Sequence, residues 1–219
     1  MIGTQYAYLY PKNPRSMILD SNPQHYQDEA SMLLSEATTY EATLMRFFDW
    51  CETANKATCV LSGQNIVKIW EDLLVEAAKT PIPAPECGTV CRSNVNAEEI
   101  LSVTKRLNRW RYFGDSMLFA SLTTICNDFP TESKSFVDLQ AKHIEAAEFA
   151  PLTRGASAAY MVQSACIGWR HRNNNPPEMV QIKGVSKVLV VNGIYDPSTS
   201  YAWAMGVSRQ FGESGVITD

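Results

Sequence analysis

The seven residues Lys187-Val188-Leu189-Val190-Val191-Asn192-Gly193 constrain the fold of this chain more than any other stretch. Four consecutive apolar residues, three of them β-branched, closed by Asn-Gly, read as a strand buried on both faces, the pattern of a parallel sheet covered by helices. The flanking sequence agrees. A helix from about Thr199 to Gln210 has Pro197 near its start and Gly212 just past its end, and Gly215-Val216-Ile217-Thr218 opens one more strand, within which the sequence stops. At the other end, Met1 to Tyr10 carries Tyr6 and Tyr10 on one helical face and is closed by Pro11, Asn13 and Pro14. Ser16-Met17-Ile18-Leu19-Asp20 then reads as a second buried strand. Helix and strand in alternation are α/β grammar.

Between these ends, from about Tyr26 to Ala150, the periodicity is that of helices only. One apolar stripe runs through Ile66, Ile69, Trp70, Leu73 and Ala77, another through Ile100, Val103 and Leu107. Thr80-Pro81-Ile82-Pro83-Ala84-Pro85 cannot be helical, because alternate prolines remove donors and fix φ, and it reads as a hinge or stiff connector. Asn173-Asn174-Asn175-Pro176-Pro177 marks a second break before the sequence turns strand-like again.

Composition removes several functions. With 219 residues and 45% hydrophobic content the chain can bury a sizeable core. A net charge of -4 without a basic patch argues against nucleic acid, and no apolar run nears the roughly 20 residues of a membrane span. The N-terminus lacks the basic and apolar regions of a signal peptide. Six cysteines beside three histidines do not make a zinc site, since Cys87-x3-Cys91 has no second pair at ligand spacing, and neither metal nor cofactor is expected. Disulfides Cys51–Cys59, Cys87–Cys91 and Cys126–Cys166 form one of the many connectivities that six cysteines allow. The alternative is six buried thiols in a cytosolic protein; loops rich in Gly, Pro or Asn beside four of the six favour disulfides.

Asp196, in Gly193-Ile194-Tyr195-Asp196-Pro197, directly follows the strand, where α/β sheets place functional loops. A carboxylate there can orient a histidine and stabilise its protonated form, or it can be an ordinary residue of an Asp-Pro turn. No Gly-x-Ser-x-Gly elbow occurs; Gly155-Ala156-Ser157-Ala158-Ala159 lacks the second glycine and reads as a helix start. His25, His143 and His171 read as surface or packing residues. Asp128, in Ile125-Cys126-Asn127-Asp128-Phe129, could face a substrate amine or simply end a helix. Trp110, Tyr112 and Phe113 read as core before binding platform.

The segment from Ile182 through Val188-Leu189-Val190-Val191-Asn192-Gly193-Ile194-Tyr195-Asp196-Pro197-Ser198-Thr199 to Tyr201 resembles the C-terminal domain of tripeptidyl-aminopeptidase-like hydrolases. Gly3-Thr4-Gln5-Tyr6-Ala7-Tyr8-Leu9-Tyr10-Pro11 with Met17-Ile18-Leu19-Asp20 resembles the helix and strand after that family's nucleophile elbow. Phe48-Asp49-Trp50-Cys51, Ile125-Cys126-Asn127-Asp128 and Cys166-Ile167-Gly168-Trp169 resemble landmarks of its helical cap. The resemblance implies a partial α/β-hydrolase fold with a large helical cap insertion: hydrolase core at 1–24, cap at 25–180, core again at 181–219. It implies a secreted serine exopeptidase acting on N-terminal peptides or small esters, with Asp196 as triad acid. It also implies that the serine lies before Met1 and the histidine beyond Asp219, so the chain alone is inactive. Ser21 departs from the family, which usually has Gly there.

Two other functions compete: a non-catalytic peptide- or protein-binding module built on the helices, and a redox protein using Cys87 and Cys91, which lacks the usual Cys-x-x-Cys. Without the central strands of a hydrolase, Ile18 and Val188 to Val191 are expected to have unpaired edges and to favour aggregation.

Overall fold

The computed structural model describes residues 2–85, 93–105, 116–129, 131–169 and 177–219. Cys87, Cys91, Trp110, Tyr112, Phe113, His171, Leu107 and most of the break at 173–177 lie outside the described residues. The fold is α/β: a small parallel sheet backed by helices and joined to a larger helical layer. Helix α1 (Ile2–Leu9) leads into strand β1 (Met17–Asp20); β4 (Val188–Val191), helix α8 (Tyr201–Gln210) and β5 (Gly215–Thr218) complete the sheet layer. The order is β1-β4-β5, parallel throughout.

Alternation decides which face of this sheet is covered. Val188 and Val190 of β4 point into a core shared with Ala7 of α1 and Ala204, Val207 and Phe211 of α8. Leu19 packs against the same core so closely that a Cβ on Gly3 would sit 2.5 Å from its Cδ2. The opposite face is open. The register aligns Ile18, Leu189 and Val216 in one row across the strands, with Ile18 68% and Val216 47% exposed. The expectation that β1 is buried is therefore corrected for one of its faces. The expected unpaired edge holds for Ile18 on β1 and is corrected for Val188 to Val191: β4 is bonded on both sides, and the edges belong to β1 and β5.

Helices α2 (Glu29–Thr53), α3 (Ile66–Lys79), α4 (Ala97–Lys105), α5 (Ser116–Asp128), α6 (Phe136–Phe149) and α7 (Ala158–Cys166) form the other layer. Their starts are chemically marked. Asp28 caps α2 by accepting from Ser31 N at 2.8 Å, and Asn65, Ser135 and Ser157 cap α3, α6 and α7 in the same way. Asn96 and Glu99 form a reciprocal capping box on α4. Ser157 is thus a helix cap, as its sequence context suggests.

Three buried glutamates make α2 the spine of this layer. Glu29 accepts from Ser133 N at 2.9 Å and pairs with Lys142 of α6. Glu36 accepts from Ala159 N at 2.6 Å at the start of α7, and Glu41 from Leu152 N and Thr153 N, each at 2.9 Å. Burial draws the Lys142 ammonium pKa down, but the hydrogen bond and charge of Glu29, with Glu132 beyond, outweigh it and hold it above its ordinary value. A second core joins Leu44 and Phe48 of α2 to Trp70 and Leu74 of α3 and to Leu101 of α4.

Several local expectations change. Leu73 is 37% exposed and Leu74 2%, so the buried stripe of α3 runs Ile66, Trp70, Leu74, Ala77. The proline segment is not a bare connector and the region is not helical only. Ile82–Pro83 (β2) pairs antiparallel with Asn94–Val95 (β3), and Ala84 N donates to Ser93 O at 2.7 Å. Proline is tolerated because a two-stranded ribbon leaves one edge of each strand unpaired. Cys51 is joined to Cys59, and Cys126 to Cys166. Cys59 lies outside the helices and Cys166 ends α7 beside the Gly168 turn, whereas Cys51 and Cys126 stand inside α2 and α5, within a turn of their ends.

Candidate functional site at the end of strand β4

Asn192 directly follows β4 and is buried. Its Oδ1 accepts from Asn22 N at 3.0 Å and its Nδ2 donates to Thr199 O at 2.8 Å. Asn22, just past β1, donates from Nδ2 to Leu19 O at 2.9 Å. These two asparagines clamp the loops leaving both strands, and the turn that carries Asp196 is built on that clamp. Sequence reading passed over them, although each stands within two residues of the end of a predicted strand, where a side-chain amide can satisfy backbone groups that the sheet no longer pairs.

Asp196 closes this turn with its own carboxylate. Oδ1 accepts from Ser198 N at 2.8 Å and Thr199 N at 3.2 Å, and Oδ2 accepts from Thr199 Oγ1. These donors fix the plane of the carboxylate. The side chain remains half-buried, so one side of it faces outward. A carboxylate fixed at the carboxyl end of a central parallel strand can hold an imidazole in one tautomer and orientation.

Helix α2 supplies the facing wall. Thr43 Oγ1 donates to Tyr195 O at 2.8 Å, and Thr39 Oγ1 to Ser200 Oγ at 2.8 Å. Ser200 in turn caps α8 through Ala202 N at 3.3 Å, which moves the helix start to Tyr201 from the expected Thr199. Between α2 and residues 194–202 lies a groove of about 440 Å³, lined by Leu34, Thr38, Thr39, Phe149, Ile194 and Tyr195 among others. Further along α2, Arg46 sits 5.8 Å over the Tyr195 ring. It borders an aromatic trough of about 680 Å³ with Phe47 and Trp50, whose rings are 5.7 Å apart.

The other candidates go elsewhere. His25 is buried, with Nε2 2.8 Å from Asp128 O and its ring edge-on to Phe129. His143 stacks on Tyr160 with centroids 4.4 Å apart. Both are occupied in packing and neither is among the partners of Asp196. Asp128 ends α5, and its backbone meets His25. Among the described residues no group of three His, Cys, Asp or Glu is placed to hold a metal ion, and no helix is long and apolar enough to cross a membrane.

Residues 150–219 match the family model described as TAP-like protein, of α/β-hydrolase type. The match includes β4, the Asp196 turn, α8 and β5. No curated protein matches the chain.

Proposed function

Proceeding from a C-terminal region of TAP-like α/β-hydrolase type, we propose that Asp196 is the acid of a serine-hydrolase triad. In this reading the helical layer is the cap, the groove between α2 and Tyr195 receives a short peptide or small ester, and the parent is a secreted exopeptidase acting on free N-termini. The observation that carries it is the Asp196 carboxylate itself, gripped by three donors at the carboxyl end of β4 and bordered by that groove. The two disulfides are compatible with an extracellular setting.

The mechanism needs a serine nucleophile, an imidazole base and oxyanion donors acting together. Among the described residues neither His25 nor His143 serves Asp196, and Ser157 is spent on a helix cap. These 219 residues are therefore expected to release no chromophore from aminopeptidase substrates. Turnover well above buffer by the purified chain, abolished by Asp196→Ala, overturns that expectation. In a longer chain that adds the nucleophile elbow and the histidine, Asp196→Asn should lower kcat by roughly 10⁴ with the fold intact. An unchanged kcat removes Asp196 from the triad.

The trough formed by Arg46, Phe47 and Trp50 favours one alternative, a non-catalytic peptide- or protein-binding module. That reading predicts peptide binding by the isolated chain that Trp50→Ala weakens at least tenfold. The triad reading needs no such affinity.

A further inference from the structure

The trough at the far end of α2 sets opposite charges beside exposed rings. Among the described residues it is lined by Thr43, Arg46, Phe47, Asp49, Trp50 and Thr53, all of that helix. Residues three and four apart are neighbours on a helix surface, so Arg46 has Asp49 on one side and Trp50 on the other, with Phe47 beyond Trp50. The two charges therefore share one flank of the trough and the two rings the other.

Neither charge is spent. Arg46 and Asp49 are both exposed, and among the described residues neither belongs to an ion pair. On α3, charges at comparable spacing do pair, Lys68 with Asp72 at 2.9 Å and Lys79 with Glu76 at 3.4 Å. Arg46 lies instead over the Tyr195 ring, and Tyr195 is tied back to α2 by its carbonyl, which accepts from Thr43 Oγ1 at 2.8 Å. A guanidinium steadied on an aromatic face keeps its fork of N–H donors for a carboxylate. The rings are equally available, Phe47 47% and Trp50 48% exposed.

The helix fixes these walls before any guest arrives. On its inward side Phe48 packs against Trp70 with centroids 6.1 Å apart, and buried Cys51 is bonded to Cys59. A preset spacing spares a ligand the cost of ordering its site. Asp49 stands in the last turn of α2, which ends at Thr53, so the carbonyl end of the helix adds to the attraction of a cation there. Because Arg46 and Asp49 are neighbours, the anion and cation they receive must lie only a few bonds apart. An α-amino acid carries both on one carbon, whereas a peptide holds its two charged ends apart.

We infer that the trough binds a free aromatic α-amino acid, with its carboxylate on the Arg46 guanidinium, its ammonium on the Asp49 carboxylate and its ring against Phe47 and Trp50. The inference rests on the reading of this trough as a non-catalytic binding site, whose ligand it names, and not on the triad.

L-Phenylalanine, L-phenylalaninamide and N-acetyl-L-phenylalanine test it, since they share the ring while the amide lacks the carboxylate and the acetyl compound the ammonium. Titrated against the whole chain by ligand-observed NMR, L-phenylalanine is expected to bind about two- to fivefold more tightly than either, the range an exposed ion pair supplies. Arg46→Gln should bring L-phenylalanine level with the amide while preserving its advantage over the acetyl compound, and Asp49→Asn should do the reverse. Both substitutions fall on the exposed face and should leave far-UV circular dichroism unchanged. Trp50→Ala should weaken all three ligands by about threefold. Peptide binding that Trp50→Ala weakens, with L-phenylalanine no tighter than its capped forms, overturns this inference and leaves the binding-module reading standing; absence of both kinds of binding overturns both. Preferences that persist through Arg46→Gln and Asp49→Asn overturn the inference as well.

Discussion

Ser21 is held at φ 53°, a conformation in which an L side chain crowds its own backbone. The turn it makes delivers Asn22 to the clamp on Asn192. Its hydroxyl returns only a long, exposed contact to Asp20. Ser21→Gly is expected to stabilise the fold by about 0.5–1 kcal/mol, the relieved strain less the added freedom of the unfolded chain, read as a higher urea midpoint at unchanged slope. His143 gives a pH-dependent counterpart. Burial holds its imidazolium pKa below the ordinary 6.5, against the opposing pull of Glu98 and the hydrogen bond to Gly155. The unfolded chain then binds the extra proton as pH falls through 6.5, so this contribution is complete above that pH and lost on moving below it toward the folded pKa. Denaturant midpoints should fall between pH 7.5 and 5, and His143→Phe should flatten that slope. Asp28, whose carboxyl the Ser31 backbone N–H holds below 3.8, acts only in a lower window: its contribution is present above 3.8 and lost as pH falls further.

Helix α2 shows how an element can be legible in outline and hidden in its purpose. A helix through this region follows from periodicity, but nothing in the spacing of Glu29, Glu36 and Glu41 distinguishes buried carboxylates from a solvated face. Their partners are backbone N–H groups around 133, 152–153 and 159, more than 100 residues away. Glu41→Ala should destabilise the protein by about 2–4 kcal/mol, because it orphans Leu152 N and Thr153 N in the interior and leaves the Thr153 hydroxyl only its longer bond to Ala150 O; chemical denaturation measures it. The end strands were readable because a run such as Val188 to Val191 has few ways to bury itself. Leu73 and Leu74 were not separable, since adjacent leucines lie 100° apart and only the neighbours α2 and α4 decide which turns inward. The proline ribbon was missed because its partner, Asn94–Val95, carries no strand signal of its own. Asp196 could be placed after a strand from sequence, but the three donors that fix it come from a turn geometry that spacing does not specify.

At the scale of the molecule, the three-stranded sheet is finished on one side and bare on the other. Ile18, Leu189 and Val216 form an apolar row across it, bounded by two unpaired edges, the arrangement most prone to self-association. The isolated chain should therefore scatter light or elute above its monomer mass. Val216→Lys should reduce this without altering far-UV circular dichroism, whereas a monodisperse wild-type monomer with a cooperative melting transition would contradict the expectation. The helical layer meets the sheet layer largely through α2, whose 25 residues span about 37 Å. One helix thus borders the groove beside Asp196 with Thr38 and Thr39 and a second cavity with Met32 and Glu36. A rigid rod cannot turn one flank without turning the other. Any substitution at the groove that rolls α2 will reshape the second cavity as well, and the two can be varied independently only through the walls they do not share, Tyr195 for one and Val162 for the other.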